Sequence, residues 1–100
     1  MSFTLDFSQI EQSNPFPVST DRVVYEAVNN GPDDPGHQDH VQMWGSDGSV
    51  QVDGYLDTPP CQAGGLYGVF VDVSPLPAGY YDLSVTLPDG TAAGTTVIVQ

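Results

Sequence analysis

One hundred residues fit one domain, with room to bury about 60 to 70 % of the unfolded chain's surface around a single core. Thirteen acidic residues, eleven of them Asp, face one basic side chain, Arg22, for a formal net charge of −12. That balance excludes nucleic-acid phosphate and anionic membrane surfaces as partners, since both are held by Lys and Arg. It favours solubility, repulsion between free copies and hence a monomeric free form, and attraction to basic surfaces or divalent cations.

Phe3, Leu5 and Phe7 alternate with Thr4, Asp6 and Ser8, so residues 2–10 read as a half-buried strand. The segment 13–17, SNPFP, breaks it. Residues 21–29 form a second strand, with Val23, Tyr25 and Ala27 on one face and Val24, Glu26 and Val28 on the other, ended by Asn29-Asn30-Gly31-Pro32. The stretch DDPGHQD, 33–39, is loop by composition, and HVQMW, 40–44, is extended before the turn Gly45-Ser46-Asp47-Gly48. A short strand passes through Val50 and Val52. After Thr58-Pro59-Pro60, LYGVFVDVS is the most apolar strand, and its Gly68 predicts a bulge or a close backbone contact. Tyr81, Leu83, Val85 and Leu87 share a face, and a Pro-Asp-Gly turn leads to a closing strand over 94–100, paired with 80–87 as a hairpin. No segment carries a 3.6-residue apolar period. Seven to eight short strands at this spacing predict an all-β, immunoglobulin-like sandwich of two antiparallel sheets.

Two short motifs carry a resemblance. Asn29, Asn30 and Gly31 follow the second strand, and Pro77, Gly79 and Tyr81 open the strand before the last. With the strands between them, they resemble the bacterial and archaeal CARDB type of immunoglobulin-like module over residues 15–100. The resemblance implies an adhesion, spacer or assembly role and no catalytic residues. Tyr81 also fits the tyrosine corner, in which the hydroxyl bonds back to the upstream backbone.

Residues 1–14 precede that module as either its first strand or a docking arm that pairs with a neighbour's sheet edge, with Phe3, Leu5 and Phe7 filling pockets. The opening MSFTLDFSQI has no signal-peptide pattern, and Cys61 has no second cysteine to pair with. Cytoplasmic synthesis of a complete small protein is therefore expected, with no membrane insertion. Candidate chemistry is thin. His37 and His40 flank Asp39 without the further ligands that a transition metal needs. Asp33, Asp34 and Asp39, or Asp47, Asp53 and Asp57, are the oxygen donors for calcium, the one cofactor the pattern leaves open, with turn-forming Asp as the plainer reading. Trp44 reads as core, or with Tyr55 and Tyr67 as a sugar-stacking platform.

No Gly-x-Ser-x-Gly and no placed histidine supports nucleophilic catalysis. The expected function is a non-enzymatic structural or interaction module, a small acidic subunit that decorates or stabilises a larger protein assembly such as a virus capsid or tail, and so is virion-associated. The alternative is an adhesion or glycan- or protein-binding module of a bacterial surface system, assisted by calcium.

Overall fold

The computed structural model describes residues 1–12 and 22–99. In chain order the elements are β1 (Phe3–Asp6), a short helix α1 (Ser8–Gln12), β2 (Arg22–Asn29), β3 (Gln38–Gly45), β4 (Val50–Asp57), β5 (Leu66–Asp72), β6 (Gly79–Thr86) and β7 (Ala92–Val99). All strand pairings are antiparallel, in a three-stranded sheet β1-β2-β5 and a four-stranded sheet β4-β3-β6-β7. Over the described residues this is an immunoglobulin-like two-sheet sandwich of seven strands. Its fourth strand pairs with the third, whereas constant-type antibody domains carry theirs on the sheet of the first two.

Period-two patterning explains the core. Val23, Tyr25 and Ala27 of β2, Tyr67, Val69 and Val71 of β5, and Val41 and Met43 of β3 are buried. Tyr81, Leu83 and Val85 of β6 and Val97 and Val99 of β7 join them in one cluster. Register keeps these sets on common faces: Tyr25 lies opposite Val69, and Val41 opposite Val85. The β6–β7 hairpin forms as its Pro-Asp-Gly turn predicts, closed by the Leu87 amide on the Thr91 carbonyl at 2.8 Å.

Much of the Asp content goes into local turns. Asp6, Asp47, Asp72 and Asp89 each accept a hydrogen bond from the backbone amide two residues on, at Ser8, Ser49, Ser74 and Thr91. All four sit in an Asp-x-Ser/Thr pattern: the Ser8 and Ser49 side chains and then their amides hold Asp6 and Asp47 below the usual carboxylate range, and the Ser74 and Thr91 amides do the same for Asp72 and Asp89.

Several boundaries differ from the sequence expectation. The first strand stops at Asp6, and α1 follows with Phe7 and Ile10, three apart, both buried. Asp6 starts that turn by receiving the Ser8 amide at 2.8 Å, the role of a helix-capping carboxylate. Strand β3 begins at Gln38, so Gln38 and Asp39 are strand rather than loop, and β4 runs on to Asp57. Gly68 forms no bulge: the β2–β5 register is unbroken around it, and the irregularity lies between Met43 and Trp44. The proposed break at 13–17 and the boundary between residues 14 and 15 fall outside the described residues. Among the described residues, no helix is long and apolar enough to cross a membrane.

Phe3 and Phe7 are buried and Leu5 packs against the core, with β1 in register along β2 from Phe3 opposite Asn29 to Asp6 opposite Glu26. In the isolated chain these three side chains face inward, so docking through them requires β1 to leave β2. Phe3→Ala and Phe7→Ala are each expected to lower stability by about 3 to 5 kcal/mol, the cost of truncating a buried aromatic. Urea unfolding measures this, and losses below about 1 kcal/mol would show that β1 is not part of the folded core in solution.

Candidate functional site

The ends of β2, β4 and β6 and the starts of β1, β3, β5 and β7 gather at one end of the sandwich, as the antiparallel registers require. Here the gap between the sheets is closed by polar groups. Asp39 points inward from β3 and is 0 % exposed. Its Oδ2 accepts hydrogen bonds from the hydroxyls of Tyr25 at 2.8 Å and Tyr67 at 2.9 Å, both reaching across from the other sheet. Its Oδ1 lies 2.8 Å from His37 Nε2, while His37 Nδ1 lies 2.8 Å from Asp34 Oδ2. A neutral imidazole carries one N–H. Asp34 and Asp39 thus face the two ring nitrogens of His37, and the tautomer decides which carboxylate receives the ring N–H. Phe3 packs edge-on against His37 and Tyr67, with ring centroids 5.2 and 5.6 Å away, and ties β1 to the same cluster.

The loops above the cluster are stitched by short polar side chains. Buried Asn29 donates from Nδ2 to the carbonyls of Pro32 at 2.9 Å and Cys61 at 3.1 Å, and its Oδ1 accepts from the Gly31 amide. Asn30 donates to Thr4 Oγ1 at 2.6 Å, so the Asn29-Asn30-Gly31 motif joins three segments. Asp34 and Cys61 exchange backbone hydrogen bonds, and Asp33 Oδ1 accepts the Ala63 amide at 2.8 Å. Gly36 passes so close to the second loop that a Cβ there would lie 2.8 Å from the Thr58 carbonyl oxygen, at a φ of +108°. Near the other end, the Tyr81 hydroxyl donates to the Pro77 carbonyl at 2.6 Å, which is tyrosine-corner geometry. Among the described residues, no buried side-chain nitrogen or oxygen lacks a hydrogen-bond partner.

This buried network ties the two sheets to each other and to the loop before β3. The six aspartates considered for calcium do not converge. Asp33 serves the Ala63 amide, Asp34 and Asp39 serve His37, Asp47 accepts from Ser49, Asp53 lies 2.6 Å from His40, and Asp57 accepts from Gln38. Among the described residues, no group of three His, Cys, Asp or Glu side chains is arranged to hold a metal ion. The two histidines lie apart: the His37 side chain, from the loop before β3, is buried against Asp39, and His40 points outward from β3.

The aromatic trio also divides. Tyr67 is buried in the three-stranded sheet and donates to Asp39, so it leaves the platform. Trp44 is not core; it lies opposite Asp82 and Val50 on the outer face of the four-stranded sheet, half-buried, while its neighbour Met43 fills the interior. Tyr55 stands on that same outer face, 64 % exposed. Its ring is stacked on His40 with centroids 4.6 Å apart and planes 12° from parallel. Asp53 and Asp57 flank Tyr55 at two-residue spacing on β4, one beside His40 Nε2 and the other receiving the Gln38 amide at 2.9 Å. An open cleft of about 450 Å³ lies alongside, lined by Gln38, His40, Tyr55, Thr86, Leu87 and Pro88. The Asp53-x-Tyr55-x-Asp57 alternation was visible in the sequence; its cross-strand partner His40 depended on register. No protein-family model, curated protein or solved structure matches the chain.

Burial, and then the Asp39 carboxylate beside them, pushes the Tyr25 and Tyr67 hydroxyls well above the ordinary tyrosine range. Both therefore ionise first in the unfolded chain. Their contribution to stability is complete below pH about 10 and is lost as pH rises beyond it, at up to about 1.4 kcal/mol per pH unit for each tyrosine. Urea midpoints measured from pH 9 to 12 should fall with that slope, and Tyr25→Phe should reduce it by about half.

A second comparison separates the two histidines. His37→Ala removes the ring between two buried carboxylates and is expected to cost about 3 to 5 kcal/mol. His40→Ala, in an exposed pair, is expected to cost about 1 kcal/mol or less. Equal losses would mean that the buried cluster does not act as a tie between the sheets.

Proposed function

We propose that this chain is a non-enzymatic immunoglobulin-like interaction module that works as an acidic subunit of a larger protein assembly and docks through the outer face of its four-stranded sheet. A virus capsid or tail is an assembly of this kind. The observation that carries the reading is the stacked, rigidly backed and exposed Tyr55 on an outer sheet face, beside an open cleft. Large aromatic side chains held in water at a sheet surface favour association, because their burial on docking is favourable and their ordering is already complete. Because Phe3 and Phe7 are buried, the reading rests on the exposed outer sheet face in place of the N-terminal arm that was one of the two expectations for residues 1–14.

The charge supports the same picture. A net charge of −12 keeps free copies apart until they meet a complementary surface. The non-enzymatic part of the reading rests on the buried polar cluster, whose hydroxyls and imidazole are engaged with carboxylates inside the fold. The likeness to CARDB-type modules, carried by Asn29, Asn30, Gly31, Pro77, Gly79 and Tyr81, is in keeping with an assembly role, and in this fold those residues form loop ties and a tyrosine corner.

Sedimentation of the endogenous protein from its source, followed by mass spectrometry across a density gradient, tests the proposal. Migration with large particles at a fixed stoichiometry is expected, with Tyr55→Ala shifting the protein to the slow fractions. Recovery of the wild-type chain as a slow monomer would overturn it.

A further inference from the structure

We propose that the partner presents an arginine side chain to the outer face of β4, where the guanidinium stacks on Tyr55 and its donors reach Asp53 and Asp57. This inference rests on the docking face described above and names what that face takes.

The geometry supplies three things that a guanidinium requires. The first is a ring surface: Tyr55 is 64 % exposed, and its stacking on His40 at 4.6 Å holds it in one orientation. A cation over a tyrosine ring is attracted by the ring quadrupole, and the planar guanidinium stacks as well. The second is a pair of acceptors at the right reach. Asp53 and Asp57 lie two residues either side of Tyr55, so all three point to the same face at intervals of about 6.6 Å. The Asp53 contact with His40 and the Asp57 contact with Gln38 each use one carboxylate oxygen. An ionised carboxylate has two oxygens and accepts several donors, so each keeps capacity for a fork of N–H groups. The third is a cleft beside the stack, about 450 Å³ and bounded by Thr86, Leu87 and Pro88, which accommodates the aliphatic stem or the chain that bears it.

The sign of the charge selects this occupant. Lys and Arg are represented in the sequence by Arg22 alone, and β2, to which it belongs, lies in the other sheet, so the guanidinium at Tyr55 is the partner's. Anionic partners are repelled by the same aspartates. Arginine is favoured over lysine because a compact, strongly hydrated ammonium neither stacks flat on the ring nor bridges a carboxylate with two parallel bonds.

The test uses a blocked pentapeptide alternating glycine and arginine, with matched lysine and citrulline versions, titrated into the full chain while the Tyr55 ring and His40 resonances are followed by NMR. Saturable shifts at these residues with the arginine peptide in 0.15 M salt are expected, weaker binding for lysine, and none for citrulline. Tyr55→Ala should weaken binding about threefold to fivefold, Tyr55→Phe should leave it within about twofold, and Asp53→Asn with Asp57→Asn should abolish the preference for arginine over citrulline. Arginine-peptide affinity indifferent to Tyr55→Ala, or shifts spread over all the aspartate turns, would overturn the inference. If a neutral oligosaccharide shifts Tyr55 and His40 and the arginine peptide does not, the docking face stands and the cationic partner falls. If neither probe moves these residues while the protein still sediments with its assembly, the docking face itself is elsewhere.

Discussion

The carboxylate of Asp39 is the point on which the two sheets are aligned. It sits on β3 with no exposure to water, and it is held by hydroxyls from β2 and β5 of the opposite sheet and by the imidazole of the loop that leads into β3. A buried carboxylate is costly unless it is fully hydrogen-bonded, so each partner has to be in place for any of them to be tolerated. Apolar contacts alone would let the sheets slide. Directional bonds between Asp39, Tyr25 and Tyr67 set one relative position, and the edge-on contact of Phe3 with His37 and Tyr67 brings β1 to the same place.

That arrangement also accounts for the loops above it. With a single free cysteine and one basic residue, the chain has neither a disulfide nor surface ion pairs with Lys to secure long connections. Asn29, Asp33, Asp34 and Thr58 do that work through backbone groups. Asp-x-Ser/Thr turns do the same elsewhere, which is why a chain so rich in carboxylates pays little repulsion locally: the negative charge is received by amide dipoles. Asp53 and Asp57 stand on the outer sheet face beside Tyr55 and give that surface its sign.

Period-two alternation was legible along β2, β5, β6 and β7, because one buried face leaves a repeating apolar mark on every second residue. The Pro-Asp-Gly hairpin and the tyrosine corner were legible for the same reason of local chemistry. Three things were not. Helix α1 is too short to show a helical period, and only the Phe7 and Ile10 spacing with the Asp6 cap betrays it. DDPGHQD looks like loop because its residues are polar, yet Asp39 is among the most buried side chains in the protein. Trp44 looks like core because it is large and apolar, and it faces outward because Met43 already occupies the inward position of that pair.

Taken by itself, the amino-acid sequence determined the class of fold, the strand spacing and the net charge, since all of these follow from composition and from contacts between residues close along the chain. The tertiary structure decided which polar residues are buried and which aromatic rings are exposed. Asp39 is separated from Tyr25 by fourteen positions and from Tyr67 by twenty-eight, and His40 meets Tyr55 only through the register of β3 on β4. Such pairings leave no mark on local patterning, because a one-residue shift in register would send every one of these side chains to the other face.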